Sequence, residues 1–216
     1  MPDLQTVLLF VSASVVLLVV PGSTIALVVA RSLAEGRRNA LPLVLGVGLG
    51  DLVAASVALA GAGALLAASA TAFTLVKVVG AFYLVWLGIR LFRAEPVPLD
   101  APGVRTEESA WAEGSAWAAL RDGFLVTVFN PKGILFFVAF VPQFIHPDRG
   151  YAAQAVFFVL TFTLLGMANG AAYALGADAM RRLIRSANIL RWMNRAGGAA
   201  IAAAGIAALF ARRPAA

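Results

Sequence analysis

At 216 residues the chain has the length of one or two soluble domains, but 61% hydrophobic residues, 13% charged residues and a mean hydropathy of +0.88 do not describe a water-facing surface. These values belong to an integral membrane protein. They exclude disorder and nucleic-acid binding as main themes, so the net charge of +6 is assigned to loops and helix ends at lipid headgroups. With no cysteine and a single histidine, His146, the chain has no means to build disulfides, thiolate metal sites, Cys nucleophiles or a His-rich metal centre.

About 20 apolar residues are needed per bilayer crossing, and the chain accommodates six such helices with short links. Apolar stretches place them at 4–30, 41–66, 70–91, 120–145, 151–177 and 196–211, an all-α polytopic fold. Asp3 stands where a cleaved signal peptide would carry basic residues, and the apolar run continues past Gly22 toward Arg31, so the first span is expected to stay. Arg31, Arg37 and Arg38 follow span one; Arg90, Arg93, Arg105 and Arg121 lie between spans three and four; Arg181, Arg182, Arg185, Arg191 and Arg195 precede span six. The alternate connections and the carboxyl terminus hold only Lys77, Arg149, Arg212 and Arg213, so the positive-inside rule puts both termini outside. The one long connection contains Pro96, Pro98 and Pro102, then Glu107, Glu108 and Glu113 with Trp111 and Trp117, and reads as a cytoplasmic linker ending in an interfacial segment.

The two halves resemble each other. Pro21 and Pro131 fall inside spans one and four; Gly46 and Gly50 in span two match Gly166 and Gly170 in span five. In spans three and six, Gly80, Gly88 and Ile89 have the spacing of Gly197, Gly205 and Ile206. Three spans per unit make the second unit enter the membrane from the opposite side, giving an inverted repeat with units at 1–91 and 120–216 joined by the linker 92–119. In such proteins the substrate site sits near the midplane, where broken helices expose backbone groups that a continuous helix would consume.

Asp51 and Lys132 are the ionisable side chains deep within the expected spans, and each costs roughly 2.5–3.5 kcal/mol at a helix centre. Both lie ten residues in from the basic end of their spans, as does Pro21, so Pro21-Gly22-Ser23-Thr24, Gly50-Asp51 and Asn130-Pro131-Lys132 converge on one layer, which Asn169 is placed to join. Pro21 has no N–H and frees the carbonyl one turn earlier, leaving acceptors that Ser23, Thr24 or Asn130 do not all satisfy. Asp51 suits a substrate ammonium or a transported proton; Lys132 suits a carboxylate, or serves as counter-ion to Asp51. A buried Asp51–Lys132 pair that only holds helices together is the structural alternative. Tyr83, Trp86 and Tyr173 are read chiefly as packing or interfacial aromatics.

These residues resemble the lysine exporter (LysE/RhtB) superfamily, in particular its homoserine/threonine type of amino-acid efflux protein. The likeness is carried, in order, by Pro21-Gly22 with the basic Gly36-Arg37-Arg38; by Leu45-Gly-Val-Gly-Leu-Gly-Asp51; by Gly80-Ala-Phe-Tyr-Leu-Val-Trp-Leu-Gly-Ile-Arg90; and by Asn130-Pro131-Lys132 through Phe140-Val-Pro142-Gln143-Phe144. The resemblance implies secondary active, proton-coupled export of amino acids or related metabolites across the bacterial inner membrane. Pro21, Gly22, Ser23, Thr24, Asp51, Asn130, Pro131, Lys132 and Asn169 are then the candidate substrate layer, with Asp51 and Lys132 coupling the ion. Ser23-Thr24 departs from relatives that carry Pro followed by Asn or Asp. Expected partners are an amino-acid-like substrate and membrane lipids, with no cofactor and no resident metal, and the glycine stripes leave a homodimer open. The competing classes are a membrane-embedded enzyme on a lipid-like substrate, for which no span holds an acidic pair or a His–acid pair, and a divalent-metal exporter, disfavoured by one His and no Cys.

Overall fold

The computed structural model describes residues 2–20, 22–36, 40–95, 115–145, 150–177 and 186–210. Among these, the regular structure is entirely helical: α1 (Leu4–Val19), α2 (Ser23–Glu35), α3 (Leu41–Ala68), α4 (Ala70–Arg93), α5 (Ala116–Val128), α6 (Pro131–Phe144), α7 (Tyr151–Leu175) and α8 (Ala187–Phe210). Four helices are long and apolar enough to cross a bilayer, within α3, α4, α7 and α8, and the count rises to six when each bent pair is one span. The pairs are α1–α2, bent by 55°, and α5–α6, bent by 44°. Trp111 and the proline-rich part of the long connection lie outside the described residues, as do His146, Arg37 and Arg38.

Local chemistry sets the ends of these helices. The Asp3, Ser69 and Ser115 side chains each accept a backbone N–H in the first turn of α1, α4 and α5, supplying a partner that a helix start otherwise lacks. Gly36 closes α2 with φ 87°, a left-handed conformation open to glycine. Asn130 caps α6 by accepting from the Lys132 N–H at 3.0 Å, with Pro131 at the first helical position, where a missing N–H costs nothing. Further along α6 the residues Phe136–Phe140 form a widened π turn and Val141–Phe144 a tight 3-10 turn.

Two spans differ from their expected limits. The first, expected as a span over 4–30 broken at Pro21, is two helices on either side of that position, and its second part runs on to Glu35. The last, expected at 196–211, begins at Ala187, because the polar residues Asn188, Arg191, Asn194 and Arg195 are helix-compatible even though they are not apolar. Span hydropathy marks the part in lipid, not the end of the hydrogen-bonded helix.

Glycine sets the packing. A methyl group at Gly46 would collide with the Leu120 carbonyl and one at Gly50 with the Phe124 carbonyl, so α3 and α5 lie backbone against backbone and run parallel. Gly48 faces Met167, Gly63 faces Tyr151 and Gly170 faces Val44, which sets α7 antiparallel to α3. Gly88 abuts the Gly198 carbonyl and Ala202 N–H, while Gly205 abuts the Ala81 carbonyl and Val85 N–H, so α4 and α8 are antiparallel. These directions bring the end of α2, the start of α3, the end of α4, the start of α5, the end of α7 and the start of α8 to one end of the bundle. That end carries Arg31, Arg90, Arg93, Arg121, Arg191 and Arg195. Leu45, Leu49, Val53 and Val57 form an exposed stripe at four-residue spacing on α3, and Leu75, Val79, Phe82 and Trp86 one at spacings of four and three on α4; such apolar faces meet lipid.

The core divides into two clusters. One, toward the end opposite the arginines, is aromatic: Phe10, Phe136, Phe137, Phe140, Phe158 and Phe162, with Phe144 packed against it. The other, toward the basic end, is aliphatic, with Leu27, Val28, Val29, Leu43, Val44 and Val47. Arg31, expected with the loop arginines, is instead 1% exposed within α2 and pairs with Glu35 at 3.0 Å. It sits one turn inside the end of α2.

Candidate functional site

Between the two clusters, at the level of both helix breaks, lies a cavity of about 50 Å³. Its lining includes Gly22, Thr24, Asp51, Asn130, Lys132 and Asn169, drawn from four stretches of chain. Pro21 lies outside the described residues. Ser23 and Pro131 do not line the cavity: both are exposed, because each occupies the first position of its helix, α2 and α6, and points away from the break.

The carbonyls at the end of α1 organise the layer. A helix C-terminus leaves its last carbonyls without N–H partners, and Pro21 removes the donor that Leu17 would otherwise receive. Four consecutive carbonyls are met by side chains from other helices. Lys132 Nζ donates to Leu17 O at 2.9 Å and to Val20 O at 3.2 Å. Asn169 Nδ2 donates to Leu18 O at 3.0 Å, and Tyr173 Oη donates to Val19 O at 2.8 Å. The end of α1 is thus held by α6 and α7, and the lysine neutralises the negative end of the helix dipole.

Asp51 and Lys132 face the same cavity and attract each other, but they form no direct ion pair. The two charges thus attract each other across the cavity without contact, while the ammonium donates to the carbonyls of α1. The Asp51 carboxylate lies over Gly166, whose missing side chain makes room for it: a methyl group there would be 2.5 Å from Oδ2. Across the cavity, Asn130 Nδ2 makes a long hydrogen bond of 3.4 Å to Thr24 Oγ1, tying the two breaks together. The Thr127 hydroxyl, also in the lining, is buried with no partner.

Apolar side chains complete the lining: Leu17, Leu18, Ile25, Val47 and Phe162. These escaped the sequence reading because a leucine or valine in a membrane span carries no signal of its own. Gly166 and Tyr173 were partly legible, the first through its spacing to Gly170 and the second as a polar aromatic inside a span. Trp86 lies on the lipid side with the Arg90 guanidinium 5.3 Å from its ring, and Tyr83 stacks beside it, so neither reaches the cavity. Among the described residues no group of three or more acidic, His or Cys side chains could hold a metal ion.

One substitution separates room from stability. Gly166→Ala adds helix propensity worth about 0.5–1 kcal/mol and pushes only on the tip of a side chain, so the melting temperature should hold or rise. Transport should nonetheless fall several-fold, because the Asp51 carboxylate is displaced. Unchanged transport in Gly166→Ala would show that the position of that carboxylate is immaterial.

A bundle of membrane-crossing helices, with two bent helix pairs meeting at a polar cavity, has the architecture of a membrane transporter. The profile of the LysE type translocator family matches residues 15–212, and the chain belongs to that family. It is accordingly a multi-pass translocator of the bacterial inner membrane and not an enzyme. It is 36% identical over 91% of its length to an uncharacterized membrane protein of Vibrio cholerae, 92% of which is covered. It is 32% identical over 73% of its length to a leucine efflux protein of Klebsiella pneumoniae subsp. pneumoniae, with 71% of that protein covered. To a homoserine/homoserine lactone efflux protein of Salmonella typhimurium it is 29% identical, over 88% of each chain. No solved structure matches it significantly.

Proposed function

We propose that this protein is a proton-coupled exporter of neutral amino acids, with both termini outside and the arginine-rich end in the cytoplasm. The observation that carries the reading is the placement of Asp51 and Lys132 on one cavity at the two helix breaks. A carboxylate and an ammonium on one cavity match the two charges of an amino-acid backbone. Two donors of Lys132 are engaged by Leu17 and Val20, and the third remains for a substrate carboxylate. The apolar lining suits an uncharged side chain, and the unpartnered Thr127 hydroxyl adds a polar contact. The leucine and homoserine efflux relatives support the same substrate class.

Asp51 gives a simple account of coupling. One carboxylate holds either a substrate ammonium or a proton, so a proton arriving from outside displaces the amino acid outward, and loss of that proton to the cytoplasm readies the site for the next. A cavity of about 50 Å³ has room for a few waters and not for an amino acid, so the conformation described is closed, and transport requires the layers above and below to open in turn.

The inverted repeat, with units at 1–91 and 120–216 around the linker 92–119, is part of this reading, and the α4–α8 seam supports it. Shifting by the 117 positions that separate Gly88 from Gly205 carries Ala81 onto Gly198 and Val85 onto Ala202. The contacts of Gly88 with Gly198 and Ala202 then become those of Gly205 with Ala81 and Val85. Each helix sees the other through equivalent residues, as a two-fold axis in the membrane plane requires.

The test is efflux from preloaded cells or vesicles over a panel of neutral, acidic and basic amino acids. Neutral ones such as leucine or homoserine should leave, and collapse of the proton gradient should stop them. Flux indifferent to that collapse rejects the coupling; flux only of charged amino acids, or of none, rejects the substrate class.

A further inference from the structure

Two hydroxyls outside the cavity lining are buried without partners. Ser14 on α1 is 0% exposed and Thr163 on α7 is 8% exposed, and neither hydroxyl makes a hydrogen bond. A helical threonine ordinarily bonds back to a carbonyl in the preceding turn, and a buried hydroxyl left unsatisfied costs about 1–3 kcal/mol.

The register of α1 on α7 sets the two at one level. The rings of Phe10 and Phe158 are 4.6 Å apart, and Leu18 lies against Gly166. Both pairs are separated by 148 positions in sequence, so the helices run side by side in one direction and Ser14 lies level with Phe162 and Thr163. Ser14 shares the face of Leu18 four residues on, and Thr163 shares the face of Gly166 three residues on. The Asp51 carboxylate rests over Gly166. The two hydroxyls therefore lie one turn beyond Asp51, on the side away from the arginines, between the cavity and the aromatic cluster of Phe10, Phe136, Phe144 and Phe158.

We propose that Ser14 and Thr163 hold a buried water that carries the coupling proton between the outer side and Asp51. A buried water needs two to four polar partners; the two hydroxyls supply two and the carboxylate a third. As an incoming proton bonds to the water oxygen, one of the water's own O–H bonds breaks and that proton passes to Asp51, leaving the water intact and the carboxylate neutral. Lys132, the other charged group lining the cavity, is a donor only and takes no part in this transfer. The inference rests on the proton-coupled reading of Asp51.

The experiment uses the purified full chain in proteoliposomes with leucine as substrate. It measures exchange of labelled for unlabelled leucine at equal pH, which needs no net proton movement, and net efflux driven by a pH gradient. In the double variant Ser14→Ala, Thr163→Val, exchange should persist near the wild-type level while gradient-driven efflux falls by about tenfold or more. Thr163→Ser, which keeps the hydroxyl, should retain both. Should the double variant fail to fold, the single variants Ser14→Ala and Thr163→Val are read in the same way. Gradient-driven efflux equal to wild type, or parallel loss of both activities in a folded variant, overturns the water site and leaves the exporter reading standing. Wild-type efflux that ignores the pH gradient overturns the coupled reading and this inference with it.

Discussion

Lys132→Met is expected to abolish efflux and to destabilise the protein by about 3 kcal/mol or more, and removal of Asp51 in the same chain should not rescue it. The magnitude follows from what the ammonium does. It makes two charge-assisted hydrogen bonds, to Leu17 O and Val20 O, each worth about 1.5–3 kcal/mol when one partner is lost in a dry environment. A simple buried ion pair predicts a different pattern, in which removing both charges hurts less than removing one. Here the double variant Asp51→Asn, Lys132→Met still leaves the end of α1 without its donors. Asp51→Asn alone keeps a polar group of the same shape over Gly166 and should fold normally while failing to transport. Thermal unfolding in detergent, together with efflux from preloaded vesicles, measures all three. A double variant more stable than Lys132→Met by more than about 2 kcal/mol would favour the ion pair over the helix-capping role.

Gly88→Val is expected to prevent assembly of the bundle. Its first added carbon would lie 2.5 Å from both the Gly198 carbonyl oxygen and the Ala202 nitrogen, which are backbone atoms of a long helix and unable to step aside. Overpacking a well-fitted interface costs about 1–3 kcal/mol, and more where the obstacle is backbone, so α4 and α8 must separate along their length. Gly46→Val should act in the same way on α3 and α5, where the obstacle is the Leu120 carbonyl. Gly61 on α3 is the control, since a methyl group there meets nothing within 4 Å. Gly61→Ala should be neutral or stabilising by about 0.5–1 kcal/mol. The measurement is the yield of monodisperse protein after extraction, with thermal unfolding for whatever folds. A well-folded Gly88→Val protein would mean that the α4–α8 seam is not as close as described.

That this chain lives in a membrane, that it has apolar length for at most six crossings, and where its deep ionisable residues fall can all be read along the sequence. Those properties are local: lipid leaves each span no choice but a helix, and apolar length, basic flanks and the cost of burying Asp51 or Lys132 can be counted along the chain. The breaks were legible for the same reason, since Pro21 and Pro131 each lack an N–H wherever the rest of the chain lies. What meets those breaks is not local and depends on how the helices pack. That Lys132 reaches the carbonyls of α1 without touching Asp51, that Asn169 and Tyr173 complete the same row, and that Ser23 and Pro131 point away, all depend on the rotation of α2, α6 and α7 about their axes. Rotation is set by which small residues let two backbones approach, as at Gly46 against Leu120 or Gly88 against Gly198. In a helix apolar on every side, hydrophobic pattern does not distinguish the face turned to lipid from the face turned to a neighbour, so the facing of Asp51, Lys132 and the hydroxyls of Ser14 and Thr163 is settled by glycine contacts between helices far apart in the chain.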